Sequence, residues 1–248
     1  MLVSVIIPFY KEIDLIGRAV DSVVKQSLPG NDFEVEIIIG NDGDFSHHEI
    51  KHAIGNNHKG LQVLIEDNRG VKGPGGARNC AIRVARGEYV AFLDADDFWL
   101  EGKLGAQLEL ALTGADFIST GYLMDDSFRH VFPPKPIGRE IDVFRDLGIL
   151  TSSVMVRRAL LDSQLFRDMR FSQDIDLWHR ILDGSSVAYK SIDDALVQYS
   201  TGGSTRNKFA QARSLWDVMS CNDIPFLKKM FCMTLYAYRG LRNHVLGV

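Results

Sequence analysis

The chain has 248 residues, of which 46% are hydrophobic and 24% charged, a composition typical of a globular protein with a substantial core. The net charge of −4 gives no reason to expect a nucleic-acid partner. Three scattered cysteines, Cys80, Cys221 and Cys232, do not form a disulfide framework, so a reducing compartment such as the cytoplasm is expected. No apolar run approaches the roughly 18 residues of a membrane-spanning helix, and the first residues lack the basic segment of a signal peptide.

Strands and helices alternate through the first hundred residues. Apolar runs predict strands at 2–7, 33–39, 61–65 and 89–93, with helices between them at about 14–26, 46–56 and 76–86. Asp14 is expected to cap the first helix. This alternation is typical of parallel βαβ units, so we predict an α/β fold with a nucleotide-binding half.

The pattern changes after residue 100. Helices are predicted at 104–112 and 174–182, strands at 116–123, 154–156, 187–189 and 195–199, and a proline-containing loop at 125–140. The chain is helical again from about residue 208. We therefore predict one domain at 1–205, with a donor half (1–100) and an acceptor half (101–205), followed by a C-terminal helical extension at 206–248.

Three carboxylates, those of Asp94, Asp96 and Asp97, follow the fourth predicted strand. Burying them together is costly without a cation, and open α/β sheets bind ligands at the carboxyl ends of their strands. Carboxylate oxygens there suit Mg²⁺ or Mn²⁺, which typically bridges to substrate phosphates. An isolated Asp-x-Asp is also common in solvated turns.

A glycine-rich loop, Gly70 to Gly76, precedes the third predicted helix. Its backbone amides, together with Lys72 and Arg78, are suited to hold a phosphate. The loop matches neither the P-loop nor the dinucleotide fingerprint, so by itself it is a weak signal.

Five segments occur in a characteristic order: Val3 to Tyr10, Asn41-Asp42-Gly43, Gly76-Ala77-Arg78-Asn79, Asp94-Ala95-Asp96-Asp97 and Gln173-Asp174-Ile175-Asp176-Leu177-Trp178. This series resembles family 2 glycosyltransferases of the GT-A fold over roughly residues 2–205. The resemblance implies a Rossmann-like nucleotide-binding half with a mixed sheet, a nucleotide-diphosphate-sugar donor, a divalent metal, and inversion at the anomeric carbon.

The resemblance also implies roles on the donor side. Pro8 and Tyr10 would lie beside the nucleoside base, and Asp42 would pair with that base, usually uracil. Asn41-Asp42-Gly43 is equally a common turn sequence.

Roles in metal binding and catalysis follow from the same resemblance. Asp94 would support the metal site, Asp96 would contact the metal or the ribose, and Asp97 would bind the metal. Asp174 would be the general base that takes the proton of the acceptor hydroxyl. The alternative for Asp174 is a structural role as a helix cap. Trp178 either lines the acceptor site or lies in the core.

Several positions depart from the family pattern. Lys11 replaces a usual Asn, Asn41 an acidic residue, and Gln173 the Glu that usually precedes the base. Many members of the family have a histidine in the segment that corresponds to 199–206, where it helps to bind the diphosphate. This chain has no histidine there, and either Arg206 or Lys208 could supply the positive charge instead.

Residues 48–58 fit the zinc signature H-E-x-x-H-x-x-G-x-x-H, with His48, His52 and His58 as ligands. The spacing is chemically sound, but the segment lies inside a βαβ series, and a polar surface helix explains the histidines without function. We therefore keep zinc proteolysis only as an alternative.

The stretch from Ile224 to Val248 combines basic and aromatic residues and has no acid. It predicts either a helix packed on the domain or an amphipathic helix lying on the inner face of an anionic membrane.

Together these observations predict a metal-dependent inverting glycosyltransferase with a UDP-sugar donor. By analogy with the family, the acceptor is a saccharide, free or lipid-linked, in bacterial surface polysaccharide assembly. A nucleotidyltransferase and an inactive sugar-binding module remain as other classes.

Overall fold

The computed structural model describes residues 1–28, 30, 32–56, 58–124, 129–136, 141–169, 171–183, 186–200 and 208–245. The strands are β1 (Leu2–Phe9), β2 (Glu34–Asn41), β3 (Gln62–Asp67), β4 (Tyr89–Phe92), β5 (Phe98–Trp99), β6 (Phe117–Met124), β7 (His130–Val131), β8 (Met155–Arg157) and β9 (Tyr189–Tyr199). The α-helices are α1 (Ile16–Val24), α2 (His47–Ile54), α3 (Pro74–Val84), α4 (Lys103–Leu112), α5 (Gln173–Leu182), α6 (Lys208–Cys221) and α7 (Phe226–Val245). Short 3₁₀ helices span Thr151–Ser153 and Arg158–Leu160.

One mixed sheet runs through the described part of the chain. Its strand order is β3-β2-β1-β4-β8-β6-β9-β5, and β7 pairs with β6 at one side. The first four strands in this order are parallel, as the alternation of strands and helices predicts. β8 is antiparallel to both β4 and β6. The segment that leads into β8 therefore lies beside the segment that leaves β4.

Successive side chains of the central strands point to opposite faces of the sheet and build two cores, one on each face. Val3, Val5 and Ile7 of β1 pack on the side of α1 and α4, whereas Ile6 packs on the side of α3 and α5. This period of two is the side-chain geometry of a strand buried on both faces. Both faces of β1 are thus covered, and only its carboxyl end is left to face a ligand.

Gly40 allows α3 to approach this carboxyl edge closely. A Cβ atom at residue 40 would collide with the backbone carbonyl of Ala77 in α3. The glycine therefore allows the first turns of α3, which include Arg78, to pack directly against the end of β2.

Trp178 lies in the core and is fully buried. Its ring packs edge-on against Phe92, Phe117 and Phe166 at centroid distances of 5.5, 5.2 and 5.9 Å. Leu177, Ile181 and Leu182 are buried beside it, as the helical pattern predicts. The interpretation of Trp178 as a wall of the acceptor site is therefore wrong.

The start of α1 also differs from the prediction. The helix begins at Ile16 without a side-chain cap, so Asp14 does not cap it. Instead, backbone bonds from Leu15 and Ile16 to the carbonyl of Glu12 lead the chain into the helix. A preceding turn supplies the partners that a capping carboxylate would otherwise supply.

The second half contains more strand than the sequence pattern shows. The predicted strands at 187–189 and 195–199 form the single strand β9, whose pairing with β6 shifts register next to Gly121. β7 falls inside the predicted loop at 125–140, of which residues 125–128 and 137–140 lie outside the described residues. β5 is too short to leave a recognisable period in the sequence.

α6 and α7 pack on the domain through a third cluster: Phe144, Leu215, Val218, Met219, Ile224 and Cys232. Lys228 contacts Asp142 at 3.0 Å, and Arg239 donates to the carbonyl of Arg145 at 2.8 Å. Within the described residues, every helix is too short or too polar to cross a membrane.

Candidate active site

A cavity of about 1010 Å³ lies at the carboxyl edge of β1, β2 and β4. Residues of both halves that the sequence singles out line it: Pro8, Tyr10, Asp42, Lys72, Arg78, Asp94, Asp96 and Asp174. Asp97 is not part of this lining. The fold thus brings residues that are up to 166 positions apart into one space (174 minus 8).

Asp42 fastens the glycine-rich loop to the end of β2. Its Oδ1 accepts a hydrogen bond from Nδ2 of Asn68 at 2.7 Å, and its Oδ2 accepts one from the backbone N–H of Gly73 at 2.7 Å. The Lys72 ammonium lies 3.5 Å from Oδ1 and donates to the Asp42 carbonyl at 3.2 Å. Since Asp42 is only 7% exposed, the shape of this part of the cavity depends on these bonds.

Asn68 supports the cavity wall through its bond to Asp42, and the sequence interpretation missed it. Besides Asp42, it bonds the carbonyl of Val71 and the N–H of Gly70 at 2.7 and 3.0 Å. Asn68 directly follows β3. Because parallel strands end at the same edge of a sheet, its position after a predicted strand could have identified it.

Arg78 places a buried positive charge at the wall of the cavity. Its Nη2 donates to Oδ1 of Asp94 at 2.5 Å, and the guanidinium lies over the Phe166 ring at 5.2 Å. Among the described residues, nothing accepts a hydrogen bond from its buried Nε. A buried donor of this kind normally has a partner, and a phosphate oxygen is a strong acceptor for it.

The loop that follows β4, residues 94–97, is called the acidic loop, and two of its three carboxylates face the cavity while the third lies in the interior. Asp94 and Asp96 line the cavity. Asp97 is fully buried, and it accepts hydrogen bonds from the Ser152 hydroxyl at 2.5 Å and the Ser200 N–H at 2.8 Å. The assignment of Asp97 as a metal ligand therefore stays a prediction, and in this structure its oxygens hold the loop to its neighbours.

Burial and mutual repulsion act on these carboxylates. Burial, with a further contribution from the charge of Asp94, raises the pKa of Asp96 to about 6. The same two causes raise the pKa of Asp97 well above its ordinary value. This end of the sheet is therefore an unfavourable place for negative charge in the absence of a cation.

Asp174 lies in the first turn of α5. Its Oδ2 accepts a hydrogen bond from the Thr151 hydroxyl at 3.1 Å, and its Oδ1 accepts one from the N–H of Ile175 at 2.9 Å. Asp174 does not cap the helix, because Ser172 occupies the cap position. Asp174 is thus a carboxylate with a fixed direction at the cavity wall.

Asp176, two residues further on, is structural. It is fully buried and forms ion pairs with Arg167 and Arg180, both at 2.9 Å. The two carboxylates of this turn thus face opposite environments, and only Asp174 meets the cavity.

The C-terminal helices close part of the cavity. Gln211 and Leu215 of α6 and Tyr236 of α7 line it, together with Leu147 and Leu150. No motif in the sequence marks these residues, because their position depends on how the last two helices pack. Arg206 lies outside the described residues, and the side chain of Lys208 is not described either.

The predicted zinc ligands do not form a metal centre. His48 and His52 are exposed on α2, and the Glu49 carboxylate, which a protease would use as its base, bonds the N–H and hydroxyl of Ser46 at 2.8 and 2.7 Å. In the part of the chain that the structure describes, no group of three or more His, Cys, Asp or Glu residues is arranged to hold a metal ion. His48 and His52 belong to a capped surface helix, and His58 lies beyond its end and is partly buried.

Residues 4–163 match the model of a protein family described as Glycosyl transferase family 2. The chain belongs to this family. It is 30% identical over 98% of its length to WfaP of Escherichia coli, described as a UDP-Glc:alpha-D-GlcNAc-diphosphoundecaprenol beta-1,3-glucosyltransferase, of which it covers 95%. It is 29% identical to the putative teichuronic acid biosynthesis glycosyltransferase TuaG of Bacillus subtilis, covering 98% of each chain.

Solved structures of glycosyltransferases have the same fold. S. aureus TarS 1-349 in complex with UDP matches with a TM-score of 0.63 at 19% identity, over 98% of this chain and 72% of that one. The mannosyltransferase PcManGT of Pyrobaculum calidifontis, in complex with GDP-Man and Mn2+, matches with a TM-score of 0.62 at 20% identity, over 95% and 69%. The predicted GT-A fold and the prediction of a glycosyltransferase are confirmed.

Family membership and the exposed histidines lead to one prediction about α2. Replacing both residues, His48→Ala with His52→Ala, should leave sugar transfer within about twofold of the wild type, because surface substitutions away from a site rarely have larger effects. Transfer is measured by release of the nucleoside diphosphate, and zinc content by elemental analysis. Bound zinc that disappears together with activity in this variant would contradict the assignment of α2 as a surface helix.

Proposed function

We propose that the protein transfers a sugar from a UDP-linked donor to a hydroxyl group of a lipid-linked saccharide, with inversion at the anomeric carbon. The observation that carries this proposal is the single cavity in which the predicted donor-side residues and Asp174 face the same space. Family 2 membership supports the reaction class, and the geometry of the wall supports the roles below.

The donor nucleotide is proposed to lie at the end of β2. A uracil ring presents an imide N–H, and Asp42 is a carboxylate held in place by Asn68 and Gly73, with lone pairs free to accept. Tyr10 is 49% exposed at the cavity rim, where its ring is available to the base. The relative WfaP carries UDP-Glc in its name.

The donor diphosphate is proposed to lie in the cavity beside Arg78, whose guanidinium is bonded to Asp94 of the acidic loop. Arg78 offers its Nε, for which no described residue is an acceptor, and Lys72 adds a second positive charge. This places the leaving group next to charges that stabilise it.

A divalent cation fits the donor set of this wall. Mg²⁺ and Mn²⁺ at phosphate sites usually take one or two protein carboxylates and complete their shell with water and phosphate oxygens, so a full protein cage is not required. Asp96 is the proposed ligand on the cavity side, and Asp97 is the second predicted ligand. When bound, the ion neutralises charge on the departing diphosphate.

Asp174 is proposed to act as the general base. Its carboxylate accepts the proton of the acceptor hydroxyl while that oxygen forms a bond to the anomeric carbon. The bond from the anomeric carbon to the diphosphate oxygen breaks on the opposite face, and UDP leaves with that electron pair. Attack and departure on opposite faces invert the anomeric configuration.

The acceptor is proposed to enter along α6 and α7, which form the remaining wall through Gln211, Leu215 and Tyr236. The relative WfaP is named for an α-D-GlcNAc-diphosphoundecaprenol acceptor, in which a diphosphate joins the sugar to a polyprenyl chain. α7 contains basic residues and no acid, and its outer surface is apolar at Phe226, Leu227, Met230, Phe231 and Tyr238, each 46–81% exposed. We propose that this outer surface of α7 rests on the membrane that carries the acceptor.

The membrane proposal predicts co-sedimentation with vesicles. The wild type should bind vesicles that contain phosphatidylglycerol, and the variant Leu227→Glu with Phe231→Glu should lose most of that binding, because it places two charges on the apolar surface. Leu112→Glu, at another exposed leucine at the end of α4, is the control and should bind like the wild type. Binding that is absent in the wild type, or equal in both variants, would contradict the proposal.

A thermal-shift panel tests the proposed function as a whole. UDP-glucose and UDP-GlcNAc with Mn²⁺ should raise the melting temperature, since a ligand at 100 times its Kd adds about 2.7 kcal/mol of stability. GDP-mannose and nucleoside triphosphates serve as comparison ligands. A larger shift with triphosphates than with any nucleotide-sugar, accompanied by pyrophosphate release, would instead support nucleotidyl transfer.

A further inference from the structure

The 3₁₀ turn Thr151–Ser153 connects the acidic loop to Asp174. It immediately precedes β8 in the chain, and all three of its residues are at most 3% exposed. Because β8 runs antiparallel to β4, the turn lies directly against the acidic loop that leaves β4. On its other side it meets α5.

Ser152 connects the turn to the acidic loop. Its hydroxyl donates to Oδ2 of Asp97 at 2.5 Å and accepts a hydrogen bond from the N–H of Asp94 at 3.0 Å. Both donor and acceptor capacities of this hydroxyl are therefore engaged by residues that flank Asp96.

The backbone of the turn is fixed by its neighbours. The carbonyl of Thr151 accepts from the N–H of Val154, that of Ser152 from Nε1 of Trp99, and that of Ser153 from Nε2 of Gln107, at 3.0, 2.9 and 2.9 Å. A buried turn with every carbonyl engaged has little freedom to rotate. Its side chains are consequently held in constant positions relative to the acidic loop.

Thr151 extends this rigid frame to Asp174. The carboxylate can only accept, so the hydrogen of the Thr151 hydroxyl points at Oδ2 over the 3.1 Å distance. The Ile175 N–H holds the other oxygen at 2.9 Å. With one protein donor on each oxygen, the carboxylate plane is set, and the remaining lone pairs are left for a hydroxyl in the cavity.

We infer that Thr151 is a positioning residue for the base: it aims the Asp174 carboxylate, and the turn keeps that aim in register with the donor-binding acidic loop through Ser152. This inference rests on the proposed function, because it assigns a role relative to Asp174 as the base. Thr151 acts through this carboxylate, to which its hydroxyl donates.

Three variants separate positioning from a general structural role. Thr151→Val keeps the shape and removes the hydroxyl, Thr151→Ser keeps the hydroxyl, and Asp174→Asn removes the base. Transfer is measured with the UDP-sugar that gives the largest thermal shift and an alkyl-diphosphate α-GlcNAc acceptor, and UDP affinity is measured with Mn²⁺ present.

Thr151→Val should lower kcat about 10- to 100-fold with the KM for the donor and the Kd for UDP unchanged, the range expected for losing a hydrogen bond to a charged group that must be aligned. Thr151→Ser should recover most of that rate. Equal rates for Thr151→Val and the wild type, or equal losses for the Val and Ser variants, would overturn the inference.

Two further outcomes keep this inference separate from the proposed function. Asp174→Asn with full transfer would refute the base itself, whereas an inactive Asp174→Asn with a fully active Thr151→Val refutes only the positioning role. Crystal structures give a measurement independent of activity: the Asp174 side chain should keep one rotamer in the wild type and Thr151→Ser and change it in Thr151→Val. An unchanged rotamer in Thr151→Val would overturn the inference, and Thr151→Ala replaces that variant if it does not fold.

Discussion

Asp174→Asn should reduce sugar transfer about 10²- to 10⁴-fold, the contribution typical of a general base. The replacement keeps the size of the side chain, and the amide oxygen can still accept from the Ile175 N–H. The amide nitrogen can donate to the Thr151 hydroxyl, which reverses that bond, but the amide cannot take the proton of an acceptor hydroxyl. UDP binding with Mn²⁺ and the melting temperature should stay near those of the wild type, because Asp174 reaches the cavity from α5 and not from the strand ends where the nucleotide is proposed to bind.

Asp183→Asn is the matched control for this variant. Asp183 is an exposed acid at the opposite end of the same helix, outside the cavity lining, and its replacement should leave kcat unchanged. If Asp174→Asn loses UDP affinity or unfolds at a much lower temperature, Asp174 is a structural residue of α5 and the proposed base lies elsewhere.

Asp96→Asn should remove the Mn²⁺-dependent part of UDP affinity, a loss of about 10- to 100-fold like that seen when groups supporting a metal site are removed. Asp96 is the cavity-facing carboxylate of the acidic loop that is free of the Arg78 pair, so its charge is available to a cation. Titration calorimetry of UDP with Mn²⁺ and with EDTA measures the difference. The wild type should differ strongly between the two conditions, and the variant only slightly.

Asp97→Asn and Glu109→Gln complete this experiment. Asp97→Asn should lower the melting temperature, since the buried carboxylate bonds Ser152 and Ser200, and any additional loss of Mn²⁺-dependent affinity would identify Asp97 as the second ligand. Glu109 is exposed on α4, and its replacement should change neither quantity. UDP affinity in Asp96→Asn that still depends fully on Mn²⁺ would refute the metal assignment.

The carboxyl-edge rule explains why much of the site could be predicted from the sequence. Pro8, Asp42 and Asp94 each lie at the end of a strand whose apolar run is easily recognised, and parallel strands end at one edge. Asp174 could be singled out only through the resemblance to the family, since its short-range pattern is that of any acid in a first helical turn.

Other features depend on packing that no local pattern records. Asp96 and Asp97 are adjacent in sequence, yet one faces the cavity and the other bonds Ser152 and Ser200 in the interior. The wall formed by α6 and α7 depends on a cluster between distant segments, including Phe144 and Leu215. The link from Thr151 to Asp174 requires β8 to turn antiparallel beside β4, which strand composition does not specify.

Anomalous diffraction from a crystal soaked with Mn²⁺ and the best UDP-sugar of the thermal-shift panel is the most direct measurement. Manganese should appear in the cavity beside Asp96, with the diphosphate reaching toward Arg78 and the anomeric carbon of the sugar facing Asp174. Manganese bound at His48 and His52 instead, or a sugar turned away from Asp174, would contradict the proposed mechanism.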